Sequence, residues 1–236
     1  ALQRSRFDSL TPAERHDLTL FEGNAQSFRV LTRLQMSNRR GGMRLTAATL
    51  GALVKYPRGS AAPNTVFKKH GCFQDDVELF AEVFETAGRT ADEHGQFARH
   101  PLALLSEAAD DICYAIIDLE DGCKAGLIPV EKAFGILEKI QSGSTGSDDM
   151  PDSDRLSMGR AISINALANQ CAEVFQGHTE SILDGTFEGS LIKLVPSFKP
   201  YSKAKRVACE QVFNSERVLE LEAAGYFDPS VRVPLP

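Results

Sequence analysis

The sequence predicts an all-α protein, a multi-helix bundle. Three observations carry this. Helix start and stop signals recur along the chain. No apolar–polar alternation runs long enough to demand a sheet. The strongest periodic segment, 101–122, spreads its apolar residues over a broad arc at the helical repeat.

The elements follow in order. Thr11-Pro12-Ala13-Glu14 offers a capping Thr, a Pro at the first helical position and a Glu three residues after the cap. Apolar residues then recur at Leu18, Leu20, Phe21, Phe28, Val30, Leu31 and Leu34, which predicts a continuing helix with Gly23 as a bend. Residues 46–56 read as a short apolar helix stopped by Pro57, and 57–73, holding Pro, Gly, Ser and Asn, as a loop. An amphipathic helix over 75–87 ends at Gly88. Strong helices are expected over 101–122 and 129–140. Residues 142–154 are small, polar and acidic and read as a flexible linker or loop. A long helix is expected over 157–187, and another over 203–225, broken near Asn214 with Ser215 as a new cap. This predicts a core over 1–141, the linker at 142–154, and a C-terminal helical region over 155–236. No internal repeat is present.

Composition narrows the function. Over 236 residues, 42% hydrophobic and 25% charged content excludes a collagen, a disordered chain and a coiled-coil rod. No apolar run is long enough to span a bilayer, and ALQRSRFD lacks a signal pattern, so a cytoplasmic location is expected. Without a Met, the start reads as an internal point of a longer chain. A net charge of −6 argues against non-specific nucleic-acid binding as the main role. The charge is uneven, however. Residues 28–69 hold Arg29, Arg33, Arg39, Arg40, Arg44, Lys55, Arg58, Lys68 and Lys69 and no acid. Residues 101–123 hold Glu107, Asp110, Asp111, Asp118, Glu120 and Asp121 and no Lys or Arg. That order suits a metal plus a polyphosphate, although acidic proteins also show it by chance. Cys72, Cys113, Cys123, Cys171 and Cys209 are scattered, without a CxxC pair, and read as reduced thiols. His70 and Cys72 are close, but nothing pairs with them at zinc-finger spacing.

On the 101–122 helix, at about 100° per residue, Asp121, Tyr114, Glu107, Asp118 and Asp111 fall within about 20–100° of Asp110. Glu120 sits apart, at about 280°. The wide apolar arc predicts a central helix. The acidic stripe is either a solvated face or the wall of a cleft, where an Asp would offer a hard oxygen to Mg²⁺ or Mn²⁺. One Asp cannot hold a catalytic metal, so other ligands must come from elsewhere.

At these residues the chain resembles a known family. The run Glu107-Ala108-Ala109-Asp110-Asp111-Ile112-Cys113-Tyr114, continuing to Asp118-Leu119-Glu120-Asp121, is similar to the helix of bacterial dGTPase-type deoxynucleoside triphosphate triphosphohydrolases, members of the HD-domain superfamily. Phe21-Glu22-Gly23-Asn24-Ala25-Gln26 with Arg29 resembles that family's FEGNAQ helix. The stretch from Leu45 to Ala52, then Lys55-Tyr56-Pro57 and Lys68-Lys69-His70-Gly71, resembles its phosphate-contacting segment. The likeness is strong over about residues 10–125 and looser to about Tyr226.

The resemblance implies roles. Asp110 matches the last of the family's metal ligands, the others being a His and a His-Asp pair. Tyr114 and Asp118 match residues on the deoxyribose: the Asp accepts from the 3′ hydroxyl and the Tyr crowds the 2′ carbon, rejecting ribose. Lys55, Tyr56 and Lys69 match phosphate-binding positions, and Asn24 a position near the phosphates. The family's His-Asp-Leu-Gly-x-Pro-Pro segment should precede the FEGNAQ helix. His16-Asp17 lacks the Gly and Pro-Pro turn and reads as an ordinary helix face. The fold is therefore expected to be an HD-type bundle incomplete at its N-terminus, in a sequence cut from a longer enzyme or a degenerate relative. The implied reaction cleaves a deoxynucleoside triphosphate, dGTP first among substrates, to the deoxynucleoside and tripolyphosphate with a divalent metal (Mg²⁺ or Mn²⁺). Residues 1–236 alone are expected to be inactive. Homo-oligomerisation and single-stranded DNA binding are implied partners, the latter through Arg29 to Arg44. The alternatives are a non-catalytic deoxynucleotide-binding module and a structural helical module.

Overall fold

The computed structural model describes residues 7–36, 38, 41–62, 69–146 and 149–227. Arg39, Arg40, Lys68 and the tail from 228 onward lie outside the described residues. Among the described residues the protein is all-α, with no strand; the β-type pairings are two isolated bridges, Gly59 with Cys72 and Ala91 with Phe97. The helices are α1 (Pro12–Thr19), α2 (Gly23–Arg29), α3 (Ala47–Leu53), α4 (Val77–Thr86), α5 (Pro101–Lys124), α6 (Val130–Gln141), α7 (Asp152–Gly177), α8 (Thr179–Asp184), α9 (Phe198–Ala208) and α10 (Glu216–Phe227).

They form two compact units. The first contains residues 1–107 and 178–188, the second 108–177 and 189–236. The division falls inside α5, between Glu107 and Ala108. Between α6 and α7, both in the second unit, Thr145 is fully buried and donates to Glu138 at 3.0 Å.

In the first unit, α1 begins at the predicted capping box: Thr11 caps the Glu14 amide and the Glu14 carboxylate returns to the Thr11 amide at 2.7 Å. The helix does not run through Gly23. Leu20 leaves helical geometry at φ −120°, ψ 58°, and Glu22 caps a new helix by accepting from the Asn24 amide. Leu18, Leu20 and Phe21 are consequently exposed rather than part of a continuous apolar face. The α2 helix widens into a π-helical turn, Val30–Leu34. Its buried Phe28 joins Leu50 and Val54 of the α3 region, Cys72, Phe80, Val83 and Phe84 of α4, and Phe97 in one apolar core. Phe80 and Phe84, with centroids 4.8 Å apart, lie at its centre.

A charged seam borders this core. Asp76, with no side-chain exposure, receives Arg29 Nε at Oδ2 (2.8 Å) and faces Arg33 Nε at Oδ1 (2.6 Å). Asp75 receives both arginines from the solvent side. Asp76→Ala is expected to cost about 2 kcal/mol, below the roughly 3–5 kcal/mol of a fully buried pair because both arginines are partly exposed and can regain water. That corresponds to a fall in Tm of about 4–8 °C; an unchanged Tm in a thermal melt would refute the seam's role.

Arg89, 7% exposed, donates to the carbonyls of Leu183 (2.8 Å) and Ile182 (3.1 Å), tying the end of α8 to the first unit. Gly185 follows at φ +85°, where a Cβ would also lie 2.6 Å from Ala98 Cβ, so glycine is required twice over.

In the second unit, α6 packs on α7 and α9. Its buried residues are Ala133, Phe134, Ile136, Leu137 and Ile140; α5 contributes Ile112, Ile116 and Leu119, and α9 Tyr201, Ala204 and Val207. The long helix predicted over 157–187 starts earlier, at Asp152, and breaks at Gly177 and His178 before α8. The predicted break near Asn214 is present: α9 passes through a π-helical turn, Cys209–Phe213, capped by Asn214. Glu120, off the acidic stripe, is 3% exposed and holds Lys124 (2.9 Å), Arg160 (3.1 Å) and the Ser157 hydroxyl (3.1 Å). It is a structural carboxylate joining α5 to α7.

Candidate functional site

Two segments of the first unit run side by side. The Gly71 amide donates to the Arg58 carbonyl at 2.9 Å, and the Ser60 amide to the Cys72 carbonyl at 3.1 Å. Gly71 lies so close to the Tyr56 carbonyl oxygen that a Cβ there would overlap it, and Val54 Cγ1 would be 2.9 Å away. Arg58, 2% exposed, holds the first segment in shape by donating to the carbonyls of Gly59 and Ala62. The chain therefore presents Lys55 and Tyr56 at the start of one segment and Lys69 at the start of the other. These are three of the expected phosphate residues, with Lys69 thirteen or more positions from the other two in sequence.

Each lysine is held by a carboxylate. Lys55 Nζ is 3.2 Å from Glu107 Oε1 and 5.9 Å from the centroid of the Tyr56 ring. Glu107 also takes Arg99 at 2.7 Å. Lys69 Nζ, more than half exposed, is 3.6 Å from Glu22 Oε2. Asn24, the fourth expected phosphate residue, donates through Nδ2 to the same Glu22 at 2.6 Å. Burial raises the Glu22 pKa, but the two hydrogen bonds from Asn24 and the charges of Lys69 and His70 outweigh it and leave the carboxyl below its ordinary value. The structure thus brings Asn24 and Lys69 together on Glu22. Sequence reasoning assigned Glu22 and Glu107 no such part; their signal was only that they sit inside the FEGNAQ and Glu107–Asp121 runs.

Asp110, Tyr114 and Asp118 belong to the second unit and share one face of α5. Asp110 and Tyr114 are exposed, Tyr114 by 62%, and Asp118 is partly buried. Burial, helped by Asp121 one turn on, pushes the Asp118 carboxyl above its ordinary pKa. The apolar arc is narrower than predicted, since Ala109 and Cys113 beside this face are exposed as well. Asp111 is turned away and occupied: its carboxylate takes Lys205 at 3.2 Å and its carbonyl the Tyr201 hydroxyl at 3.2 Å.

Asp110 has the oxygen chemistry of a Mg²⁺ or Mn²⁺ ligand. Among the described residues, however, no three His, Cys, Asp or Glu side chains gather as a metal site. The described residues do not by themselves fit a catalytic metal. His16-Asp17 lies on α1, where the Asp17 carboxylate accepts the Gln74 amide at 2.7 Å. Arg29 and Arg33, expected as part of a basic surface, are engaged with Asp75 and Asp76. Among the described residues no helix is long and apolar enough to cross a membrane.

No protein-family model matches the chain. Individual proteins do. A deoxyguanosinetriphosphate triphosphohydrolase-like protein of Synechocystis is 36% identical over 227 residues, 92% of this chain and 52% of the relative. A protein of the same description from Pseudomonas aeruginosa (strain LESB58) is 37% identical over 242 residues, 96% of this chain and 54% of its own length. A deoxyguanosinetriphosphate triphosphohydrolase of Serratia proteamaculans is 30% identical over 240 residues, 90% of this chain and 45% of its own. The chain spans about half the length of the curated relatives it matches.

Proposed function

Because the chain belongs, over the half of their length that it covers, to the deoxyguanosinetriphosphate triphosphohydrolase-like family, we propose that it forms part of a hydrolase that splits dGTP into deoxyguanosine and tripolyphosphate. The observation that supports this most is the pairing of 56–60 with 69–72, which presents Lys55, Tyr56 and Lys69 from adjoining backbone. A triphosphate carries three to four negative charges and needs such cations. Their present carboxylate partners are no obstacle: Lys69 is more than half exposed, and an ammonium has three donors to divide between a carboxylate and a phosphate. Phosphate oxygens can take their place or share the lysines.

In this reading Lys55, Tyr56, Lys69 and Asn24 bind the phosphates. Asp118 accepts from the sugar 3′ hydroxyl, and Tyr114 occupies the space a 2′ hydroxyl would need. Asp110 is one ligand of a divalent metal (Mg²⁺ or Mn²⁺), and residues 1–236 alone bind nucleotide without turning it over.

The test is differential binding. The protein is expected to bind dGTP more tightly than GTP, and Tyr114→Ala to shrink that ratio about tenfold while weakening dGTP itself by less. Titration calorimetry in EDTA reads both constants without requiring a metal. An unchanged ratio removes Tyr114 from its role; no binding of either nucleotide leaves only a structural helical module.

A further inference from the structure

His70 stands between Lys69 and Gly71, and the proposed function gives it no task. It is 5% exposed, yet its Nε2 has no hydrogen-bond partner. Buried polar nitrogens are almost always paired, so an unpaired one marks either a tolerated cost or a place kept for a ligand. The ring is firmly packed, edge-on to Phe73 with centroids 5.9 Å apart and 6.4 Å from the His16 ring. Its backbone is fixed by the neighbouring Gly71 amide on Arg58. Four charged or titratable groups act on it: Asp17, Glu22, Arg58 and His16. Burial, with Arg58 and His16, outweighs the two acids and holds the imidazole below its ordinary pKa, so it is neutral near pH 7 and keeps one N–H to give. Glu22 is the same carboxylate that gathers Lys69 and Asn24.

We infer that His70 is a further phosphate ligand, its Nε2–H donating to a non-bridging oxygen of the polyphosphate chain beside Lys69. This rests on the phosphate-binding reading above. The ligand class follows from the neighbours: the group adjoining the unpaired nitrogen in sequence is a lysine, and the facing segment starts with Lys55 and Tyr56. The rival account uses Asp17, whose Oδ1 is also buried without a partner. There a trapped water would join Asp17 to His70 and no ligand would be involved.

The two accounts separate on inorganic tripolyphosphate, titrated calorimetrically in EDTA into the unsubstituted protein, Lys69→Ala, His70→Phe and His70→Asn. His70→Phe keeps an aromatic ring against Phe73 and deletes the nitrogen. It is expected to weaken tripolyphosphate at least about tenfold, as befits a lost hydrogen bond to a charged group, while its Tm holds or rises. His70→Asn, which retains an N–H, should recover part of the loss. In the unsubstituted protein tripolyphosphate should shift the His70 imidazole resonances, a reading that needs no variant to fold. Weakening by Lys69→Ala with His70→Phe within twofold of the parent, or unmoved His70 resonances on saturation, overturns the inference and leaves the phosphate site standing. If the parent fails to bind, or Lys69→Ala binds as the parent does, the phosphate-binding reading falls and takes the inference with it.

Discussion

Replacing Asp110 by Ala is expected to lower dGTP turnover by at least about a thousandfold in any form of the protein that hydrolyses dGTP, and to leave the fold intact. In the role proposed for it, Asp110 would hold a metal that supplies several kcal/mol of transition-state stabilisation, and each 1.4 kcal/mol or so is a factor of ten. Asp110 is exposed, and no ion pair or side-chain hydrogen bond ties it to the rest of the second unit among the described residues. Exposed substitutions of this kind shift stability by about 0.5 kcal/mol or less, so the melting curve should barely move. The two readouts are thus separable. Retained turnover refutes the metal role; a large loss of Tm would make Asp110 a structural residue instead. Glu120 on the same helix supplies the contrast, because it is buried and holds two cations and a hydroxyl, so its removal should be felt in the melt.

The second large effect is expected at Gly71. A methyl group there meets the Tyr56 carbonyl oxygen and Val54 Cγ1, and the oxygen belongs to backbone that also accepts the Arg58 amide at 2.8 Å. A flexible side chain could swing aside; this peptide cannot without parting the two segments. Gly71→Ala should therefore cost about 3 kcal/mol or more, the upper range for overpacking, and lower Tm by roughly 6–12 °C. Tripolyphosphate binding should weaken at least about tenfold, as Lys69 is displaced relative to Lys55 and Tyr56. Gly135→Ala is the control. Gly135 is inside α6 with nothing within 4 Å of an added Cβ, so that change should be neutral or gain roughly 0.5–1 kcal/mol of helix propensity. Equal melting temperatures for the two variants would show that 56–60 and 69–72 are not locked together.

The features that were legible in the sequence are local ones. The Thr11–Glu14 box, the stop at Gly88 and the break at Asn214 each depend on a few adjacent residues, and each is present, whereas the helix expected over 46–56 ends at Leu53, before Pro57. The helix with Asp110, Tyr114 and Asp118 on one face follows from spacing alone. What could not be read depends on partners distant in the chain. Arg29 and Arg33 looked like free basic surface because Asp75 and Asp76 lie more than forty positions away. Glu22 looked like one member of the FEGNAQ run and Glu107 like one member of an acidic run, whereas folding makes them the holders of Lys69 and Lys55. The glycine at 71 carried no signal until the Tyr56 carbonyl was known to face it. The apolar face expected across Gly23 failed for a different reason: Glu22 caps a new helix there, and capping prevails over periodicity.

Arg89 bears on where the polypeptide can be shortened. The first unit looks finished by Glu107, but it takes back residues 178–188, and the buried guanidinium is satisfied by carbonyls of Ile182 and Leu183 found only there. Any truncation placed between those stretches, however natural the acidic, polar run after Gln141 makes it look, would orphan a cation within the retained half. Expression boundaries for this protein belong beyond Gly185, even when only the N-terminal helices are wanted.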